Sequence, residues 1–142
     1  MKFSKIALFI TSILFISNSF AQSIVGKWKT IDDETGKAKS IVEIFIKDGK
    51  AYGKIVKLFR KPNEDQDPIC DVCNDYRKDK RIIGMTIITD MVKDDNEWED
   101  GEILDPDNGK IYDCKLWVEG NQLMVRGYIA FFFRTQTWLK AE

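Results

Sequence analysis

Short apolar runs that alternate residue by residue, separated by turn residues, dominate the chain after its first twenty or so positions. Alternation with a period of two is typical of strands with one buried face, and Asp48-Gly49 and Asn108-Gly109 favour tight turns between them. Runs of this kind occur at residues 24–31, 40–47, 51–60, 82–91, 97–104, 110–118, 122–129 and 134–140. Consecutive antiparallel strands in this number close readily into a barrel that leaves no exposed edge. The sequence therefore predicts an all-β fold, a lipocalin-like up-and-down barrel of about eight antiparallel strands, with one long loop at residues 61–81.

The first residues predict a signal peptide. Lys2 and Lys5 precede an apolar stretch at residues 6–15, and small and polar residues lead to Ala21. This is the pattern of a secretory signal that is cleaved near Ala21, and the apolar stretch is shorter than the roughly 20 residues of a membrane-spanning helix. We therefore expect residues 1–21 to be removed and residues 22–142 to form a single barrel domain. The expected location is the periplasm or the cell exterior, with no stable membrane insertion after cleavage.

Charge and the lack of histidine exclude several classes of function. Without the two lysines of the signal, acidic residues outnumber basic ones, which disfavours a nucleic-acid partner because such partners require a basic stripe. The chain has no histidine, so Ser-His-Asp catalysis and imidazole zinc sites are excluded. Asp100 and Glu102 are paired carboxylates without a recognisable cleft, and a hairpin turn accounts for Asp105 and Asp107 better than a calcium loop does. We expect no enzyme, no cofactor and no metal site.

Several motifs spread over the whole predicted domain resemble one family. They are Gly26-Lys27-Trp28, SIVEIF at 40–45, YGKIVKL at 52–58, CDVC at 70–73, GEILDPDNGKIYDCKLWV at 101–118, VRGYI at 125–129 and RTQTW at 134–138. Together they are similar to a family of secreted bacterial proteins known as a domain of unknown function, family 2147. The resemblance implies a small periplasmic or secreted domain, and it assigns neither an activity nor a catalytic residue.

A second resemblance concerns the closure of the barrel. Gly-x-Trp on the first predicted strand is similar to the opening of the lipocalin and fatty-acid-binding barrels. In those folds a basic residue near the last strand packs across the tryptophan and closes one end. The resemblance implies that Arg134, or alternatively Arg126, covers Trp28 in a cation–π contact of about 0.5–2 kcal/mol.

The loop cysteines Cys70 and Cys73 admit three interpretations, and the third cysteine is Cys114. A zinc knuckle takes four cysteine or histidine ligands, and a redox dithiol places its first cysteine at a helix N-terminus. Acidic neighbours raise the pKa of a thiol, and an oxidising compartment favours a structural disulfide. We predict a Cys70–Cys73 bridge, with Cys114 buried and reduced on an inward face. A bridge from either loop cysteine to Cys114 is the alternative.

Aromatic residues near the end of the chain supply the candidate ligand-binding residues. Phe131, Phe132 and Phe133 fall where a polar turn is expected, and Tyr128 precedes them. They form either a bulged strand end packed in the core or an apolar lip at the barrel mouth. The first hypothesis is a binding module for a small apolar or amphipathic molecule. The alternative is a protein-interaction or envelope-stress module whose filled barrel holds no ligand and whose partner is an envelope protein.

Overall fold

The computed structural model describes residues 23–141, and every regular element in them is a β-strand. The strands are β1 (Gly26–Ile31), β2 (Ala38–Lys47), β3 (Lys50–Leu58), β4 (Thr86–Asp94), β5 (Glu97–Leu104), β6 (Ile111–Glu119), β7 (Gln122–Ile129) and β8 (Phe132–Lys140). Each pairs antiparallel with the next, and β1 also pairs with β8, so the sheet closes on itself. The predicted barrel of eight antiparallel strands is confirmed. Residues 1–21, the predicted signal peptide, lie outside the described residues.

The strands form because alternate side chains have one interior to fill. In β2 the buried positions include Val42 and Ile44, and in β3 they include Ala51 and Ile55, while the residues between them are partly or fully exposed. This alternation fixes the register, since a slip by one residue would turn each strand's apolar face outward. Residues 23–141 contain no helix that could cross a membrane.

The two ends of the barrel differ in their connections. At the end that we call the closed end, tight turns at 48–49, 95–96 and 120–121 join the strands. Asp48 and Gly49 both have positive φ angles, 50° and 77°, as the favoured hairpin turn requires. At the opposite end, the open end, the connections are residues 32–37, 59–85, 105–110 and 130–131. The longer connections leave room for a cavity at the open end.

The long connection, residues 59–85, is longer than the predicted 61–81 loop, mainly because β4 begins at Thr86 and not at residue 82. Ile82 donates its backbone N–H to Pro68, and Gly84 donates to Ile55. The first bond stays within the connection, and the second reaches β3 outside the regular strand pairing, so the apolar run enters the sheet four residues later than predicted. Phe132 and Phe133 belong to β8, so the turn between the last strands is only residues 130–131.

The predicted closure over Trp28 needs correction. Trp28 is buried, at 3% exposure, and its indole Nε1 donates to the carbonyl of Ile24 at 2.7 Å. Across the β1–β8 seam Trp28 pairs with Lys140, whereas Arg134 lies near the other end of β8 and forms an ion pair with Asp33. Arg134 is therefore about six residues, or roughly 20 Å of extended strand, from the position that would cover Trp28.

Arg126 does not cover Trp28 either. Its guanidinium lies on the outer face of the barrel, 4.9 Å from the ring centroid of Trp117 and 4.6 Å from that of Phe133. The contact between an arginine and an aromatic ring therefore depends on the stagger of the strands. It does not follow from the adjacency of the first and last strands alone.

Candidate functional site

A cavity of about 490 Å³ occupies the open end of the barrel, within the usual range of about 300–1,000 Å³ for small-molecule sites. Its apolar wall comes from inward-facing residues of β3, β4, β5 and β7. These include Ile55, Leu58, Ile87, Ile103, Leu104 and Val125. Alternation turns about one residue in two of each strand inward, and at the end of β5 both Ile103 and Leu104 contact the cavity, so the wall is continuous. The wall can hold an apolar body by excluding water from it.

The opposite wall, on β1, β2 and β8, carries polar groups beside the aromatic rings of Phe132, Phe133 and Trp138. The hydroxyls of Thr30 and Ser40 are 2.7 Å apart and both residues are buried. On β8, Gln136 accepts a hydrogen bond from the indole Nε1 of Trp138 at 3.0 Å and donates to Asp33 at 3.0 Å. Each hydroxyl can either donate or accept, so this wall can bond an uncharged polar group of either kind.

The rim of the cavity carries charges that are already paired. Lys39 is paired with Asp107, Arg134 with Asp33, and Arg60 approaches Glu64 at 3.9 Å. Partial burial tends to lower the pKa of Lys39, but the hydrogen bond and the charge of Asp107 outweigh it and raise that pKa. Since the lining contains as many carboxylates as cations, the rim does not select a charged ligand by net charge.

The connection 59–85 covers one side of the open end, and the predicted disulfide fixes it. Cys70 and Cys73 are bonded, with their Cα atoms 5.5 Å apart, and both are fully buried. Backbone bonds join Cys70 to Lys80 and Asp79, so the bridge and the returning chain form one packed unit. The Cys70–Cys73 prediction is confirmed, and the alternative bridge to Cys114 is excluded.

Cys114 is free and buried on the inward face of β6, as predicted. Burial raises the pKa of its thiol to about 12. A thiol of that pKa is protonated at neutral pH, and the thiolate is the reactive form. Cys114 therefore serves as a small apolar core residue.

A buried arginine ties the same connection to the barrel wall. Arg77 is 6% exposed, and its guanidinium donates to both carboxylate oxygens of Asp75 and to the backbone carbonyl of Thr86 at 3.0 Å. The hydrogen bond from Arg77 holds the pKa of Asp75 below its ordinary value. Thr86 is the first residue of β4, so this contact anchors the loop where it rejoins the sheet.

The structure separates the predicted ligand-binding residues. Phe132 and Phe133 line the mouth of the cavity. Tyr128 lies outside, against Phe133 with ring centroids 6.0 Å apart, and Phe131 is 99% exposed beyond the mouth. Neither of these two contributes to the lining.

Most residues of the cavity wall were not among the predicted ligand-binding residues. The wall includes Ile55, Ile87 and Ile103, whereas the prediction rested on the Phe131–Phe133 cluster. The alternation of each strand did predict that these three isoleucines face inward, but it predicted the same for every other interior residue. Nothing in a single strand indicates which inward residues face a void and which face each other.

Asp105 and Asp107 form the β5–β6 turn that the sequence favoured. The carboxylate of Asp105 accepts the N–H of Asp107 at 2.9 Å, and its carbonyl accepts the N–H of Gly109 at 2.8 Å. Among residues 23–141, no group of three or more Cys, Asp and Glu side chains is arranged to hold a metal ion.

Comparison with known proteins agrees with this architecture. A family model described as "Uncharacterized protein conserved in bacteria (DUF2147)" matches residues 26–140. A comparison with curated proteins gives no match.

Among solved structures, the chain resembles protein HP1028 from the human pathogen Helicobacter pylori, which is described as belonging to the lipocalin family. The two sequences are 18% identical, the alignment covers 84% of each chain, and the TM-score is 0.71. At this identity the likeness concerns the fold, which is lipocalin-like.

Proposed function

The chain belongs to the family of uncharacterised bacterial proteins whose model spans residues 26–140, and we propose that its barrel binds one small apolar or amphipathic molecule at the open end. The observation that carries this proposal is the cavity of about 490 Å³, which has one apolar wall and one wall that carries polar groups. A molecule with an apolar body and an uncharged hydrogen-bonding group fits both walls. The lipocalin-like fold supports the proposal by analogy only.

The alternative, a filled barrel that acts through its surface, is less well supported. A filled eight-stranded barrel leaves no room for a ligand, and the interior near Thr30 and Ile103 adjoins open space. We also propose that the protein is not an enzyme. The chain has no histidine, the rim carboxylate of Asp107 is paired with Lys39, and Cys114 is held as a thiol.

We propose further that the protein acts after export, as the predicted cleavage near Ala21 implies. The Cys70–Cys73 bridge supports this proposal because disulfides persist in oxidising compartments. Intact mass of protein recovered from the cell envelope tests it. The proposal predicts a mature chain that starts within a residue or two of Gln22, and an intact Met1 start contradicts it.

The binding proposal is tested with N-phenyl-1-naphthylamine, an uncharged probe whose fluorescence rises in apolar surroundings. We expect saturable one-to-one binding by the chain from Gln22 onward. Gly127 lines the cavity, and a Cβ added there meets Tyr112 at 3.4 Å, which is ordinary contact. Gly127→Leu should therefore fill the mouth and lower the probe affinity at least about tenfold while the barrel stays folded.

Two controls separate filling from general damage. Thr137→Leu adds a similar side chain on the outer face of β8 and should bind the probe as the wild type does. Phe131→Ser should also bind normally, because Phe131 does not line the cavity. Binding that is not saturable, or that is unchanged in Gly127→Leu, contradicts a ligand site at the open end.

A further inference from the structure

The β7–β8 hairpin ends in an apolar tip that projects beyond the cavity mouth. We define the hairpin tip as residues 129–133. Its exposed fractions are 49% for Ile129, 99% for Phe131, 75% for Phe132 and 61% for Phe133. Scattered exposed apolar residues need no explanation, but a contiguous apolar cluster of this kind marks an interaction site.

The tip is held in a defined conformation. Ile129 pairs with Phe132 and Tyr128 with Phe133, so only two residues make the turn. Ala130 has a φ angle of 51°, a left-handed conformation that a residue with a Cβ rarely adopts. Phe133 is further fixed by the guanidinium of Arg126 at 4.6 Å. Phe131 is thus presented on a short, ordered turn.

We propose that the hairpin tip inserts into the surface of a lipid bilayer and seats the open end of the barrel against it. The tip projects from the barrel and is not a pocket, so it is suited to insertion into a bilayer and not to enclosing a ligand. Its side chains are phenylalanine and isoleucine, which have no polar group to satisfy. Protein interfaces favour Trp, Tyr and Arg at their anchors, whereas apolar side chains such as phenylalanine bury themselves at the boundary between headgroups and acyl chains.

The size of the tip also favours a bilayer over a protein partner or a second copy. A stable protein interface involves about 20–30 residues on each side, while the tip has five exposed apolar residues, four of them large. Binding to a bilayer does not require a complementary surface, because the transfer of each phenylalanine side chain from water to lipid is favourable by itself. A few such anchors give reversible peripheral binding and not insertion of the chain.

The surroundings of the tip fit an uncharged or zwitterionic lipid surface. Ile129 and Phe132 line the cavity mouth as well as the tip, so insertion would bring the mouth to the headgroups. Two of the nearby cations are paired, Arg134 with Asp33 and Lys39 with Asp107, and Arg126 beside Phe133 has no ion pair among the described residues. One such cation is far fewer than the cluster of about 4–8 Lys or Arg residues that attracts anionic lipid. The docking of the tip needs no ligand in the cavity.

The experiment measures co-sedimentation of the chain from Gln22 onward, which contains all eight strands, with vesicles of phosphatidylcholine. We expect binding that persists in 0.5 M salt, about the concentration at which surface charge attraction is screened. Phe131→Ser should lower the partition coefficient at least about tenfold, from the loss of one buried aromatic side chain. Since Phe131 is almost fully exposed, its loss should leave the melting temperature unchanged.

Two further variants complete the design. Ile46→Ser removes an exposed apolar residue, 43% exposed, next to the turn at the closed end, and it should bind vesicles as the wild type does. Phe131→Trp should bind as well as the wild type, with a blue shift of its added fluorescence on contact with vesicles.

Three results overturn the proposal: no binding of the wild type to phosphatidylcholine, equal binding by wild type and Phe131→Ser, or binding to phosphatidylglycerol alone that salt abolishes. A dimer that forms in solution without lipid and is lost in Phe131→Ser would assign the tip to a second copy instead. Phe131→Ser should still bind the fluorescent probe in the cavity. A failure of the membrane proposal can therefore be distinguished from a failure of the ligand proposal.

Discussion

At the scale of single residues, Trp28 is expected to be among the side chains on which stability depends most. Its ring is buried and its Nε1 satisfies the carbonyl of Ile24. Trp28→Ala should lower the free energy of unfolding by about 3–5 kcal/mol, from lost apolar burial and the void left behind. Urea unfolding followed by circular dichroism measures this. Trp117→Ala, on the half-exposed outer face, is the control and should cost clearly less. Equal costs would contradict a special place for Trp28.

A double-mutant cycle tests how the arginines are used. Trp28→Ala and Arg134→Ala should add within about 0.3–0.5 kcal/mol, because the two residues lie near opposite ends of the strands. Trp117→Ala and Arg126→Ala should couple by at least about 0.5 kcal/mol, since the guanidinium lies 4.9 Å from the ring centroid. Coupling of the first pair in place of the second would restore closure over Trp28.

Cys114 should be nearly inert to alkylation. With its pKa raised to about 12 by burial, almost none of it is thiolate at pH 8, and the side chain is 3% exposed. Iodoacetamide without reductant should label no cysteine of the native protein over hours and only Cys114 after unfolding in urea. Mass analysis counts the labels. Fast labelling of Cys70 or Cys73 would mean that the bridge is open in solution.

These residues also show which structural features could be predicted from the sequence and which could not. The Cys70–Cys73 bridge could be predicted because two cysteines three residues apart in a polar loop leave few options. The inward position of Cys114 followed from strand alternation. The partner of Arg134 could not be predicted, since it depends on the stagger between β1 and β8, which no local pattern records.

At the scale of elements, prediction succeeded where both ends of a strand carry turn residues. The bounds of β5 and β7 were predicted to the residue. The start of β4 was misplaced because the apolar run at 82–85 packs within the connection, where Ile82 is 8% exposed. Phe132 and Phe133 were left out of β8 because three consecutive aromatic residues show no alternation, and alternation was the pattern that set the predicted strand bounds.

The ion pair between Asp75 and Arg77 should help to anchor the connection 59–85, in addition to the Cys70–Cys73 bridge. Asp75→Asn removes the counter-charge of Arg77, which is 6% exposed. The loss of these charge-assisted bonds should cost about 1.5–3 kcal/mol at pH 7. Asp71→Asn is the matched control, because the carboxylate of Asp71 makes no ion pair among the described residues, and it should cost little.

The same pair predicts a pH dependence. The pKa of Asp75 is lowered from its ordinary 3.8 by the hydrogen bond from Arg77, so the folded state favours the charged form. Its contribution is therefore complete above pH 3.8 and is lost as pH falls toward the lower folded pKa. The stability difference between wild type and Asp75→Asn should shrink between about pH 4 and pH 2 in urea titrations. A constant difference across this range would assign the cost to packing.

At the scale of the whole molecule, the barrel has a closed end and an open end. The sheet becomes a barrel only through the short seam where β1 pairs with β8. β7 and β8 are paired along their length, from Gln122–Leu139 to Ile129–Phe132. Across the seam of β1 and β8, the described register holds Trp28 against Lys140 and Lys29 against Leu139. Few hydrogen bonds protect this seam, so it should be the place where the barrel opens most readily.

A disulfide across this seam is therefore expected to stabilise the whole barrel. Lys29 and Leu139 face outward as direct cross-strand partners, and such pairs have Cα atoms about 4.5–5.5 Å apart, within disulfide range. The double change Lys29→Cys and Leu139→Cys should raise the free energy of unfolding by about 2–4 kcal/mol when oxidised, because it joins the two ends of the chain and closes a long loop in the unfolded state. Amide exchange at the seam should slow with it.

The control places the same bridge within one hairpin. Met124 and Thr137 are partners on the outer face of β7 and β8, and Met124→Cys with Thr137→Cys closes only a short loop, so its gain should be smaller. Reduction should return both variants to the stability of their thiol forms. If the seam bridge leaves both stability and exchange unchanged while the hairpin bridge raises them, β1 and β8 are not the weak join. Opening would then have to begin elsewhere, with the 59–85 connection and its Arg77 contact the next element to test.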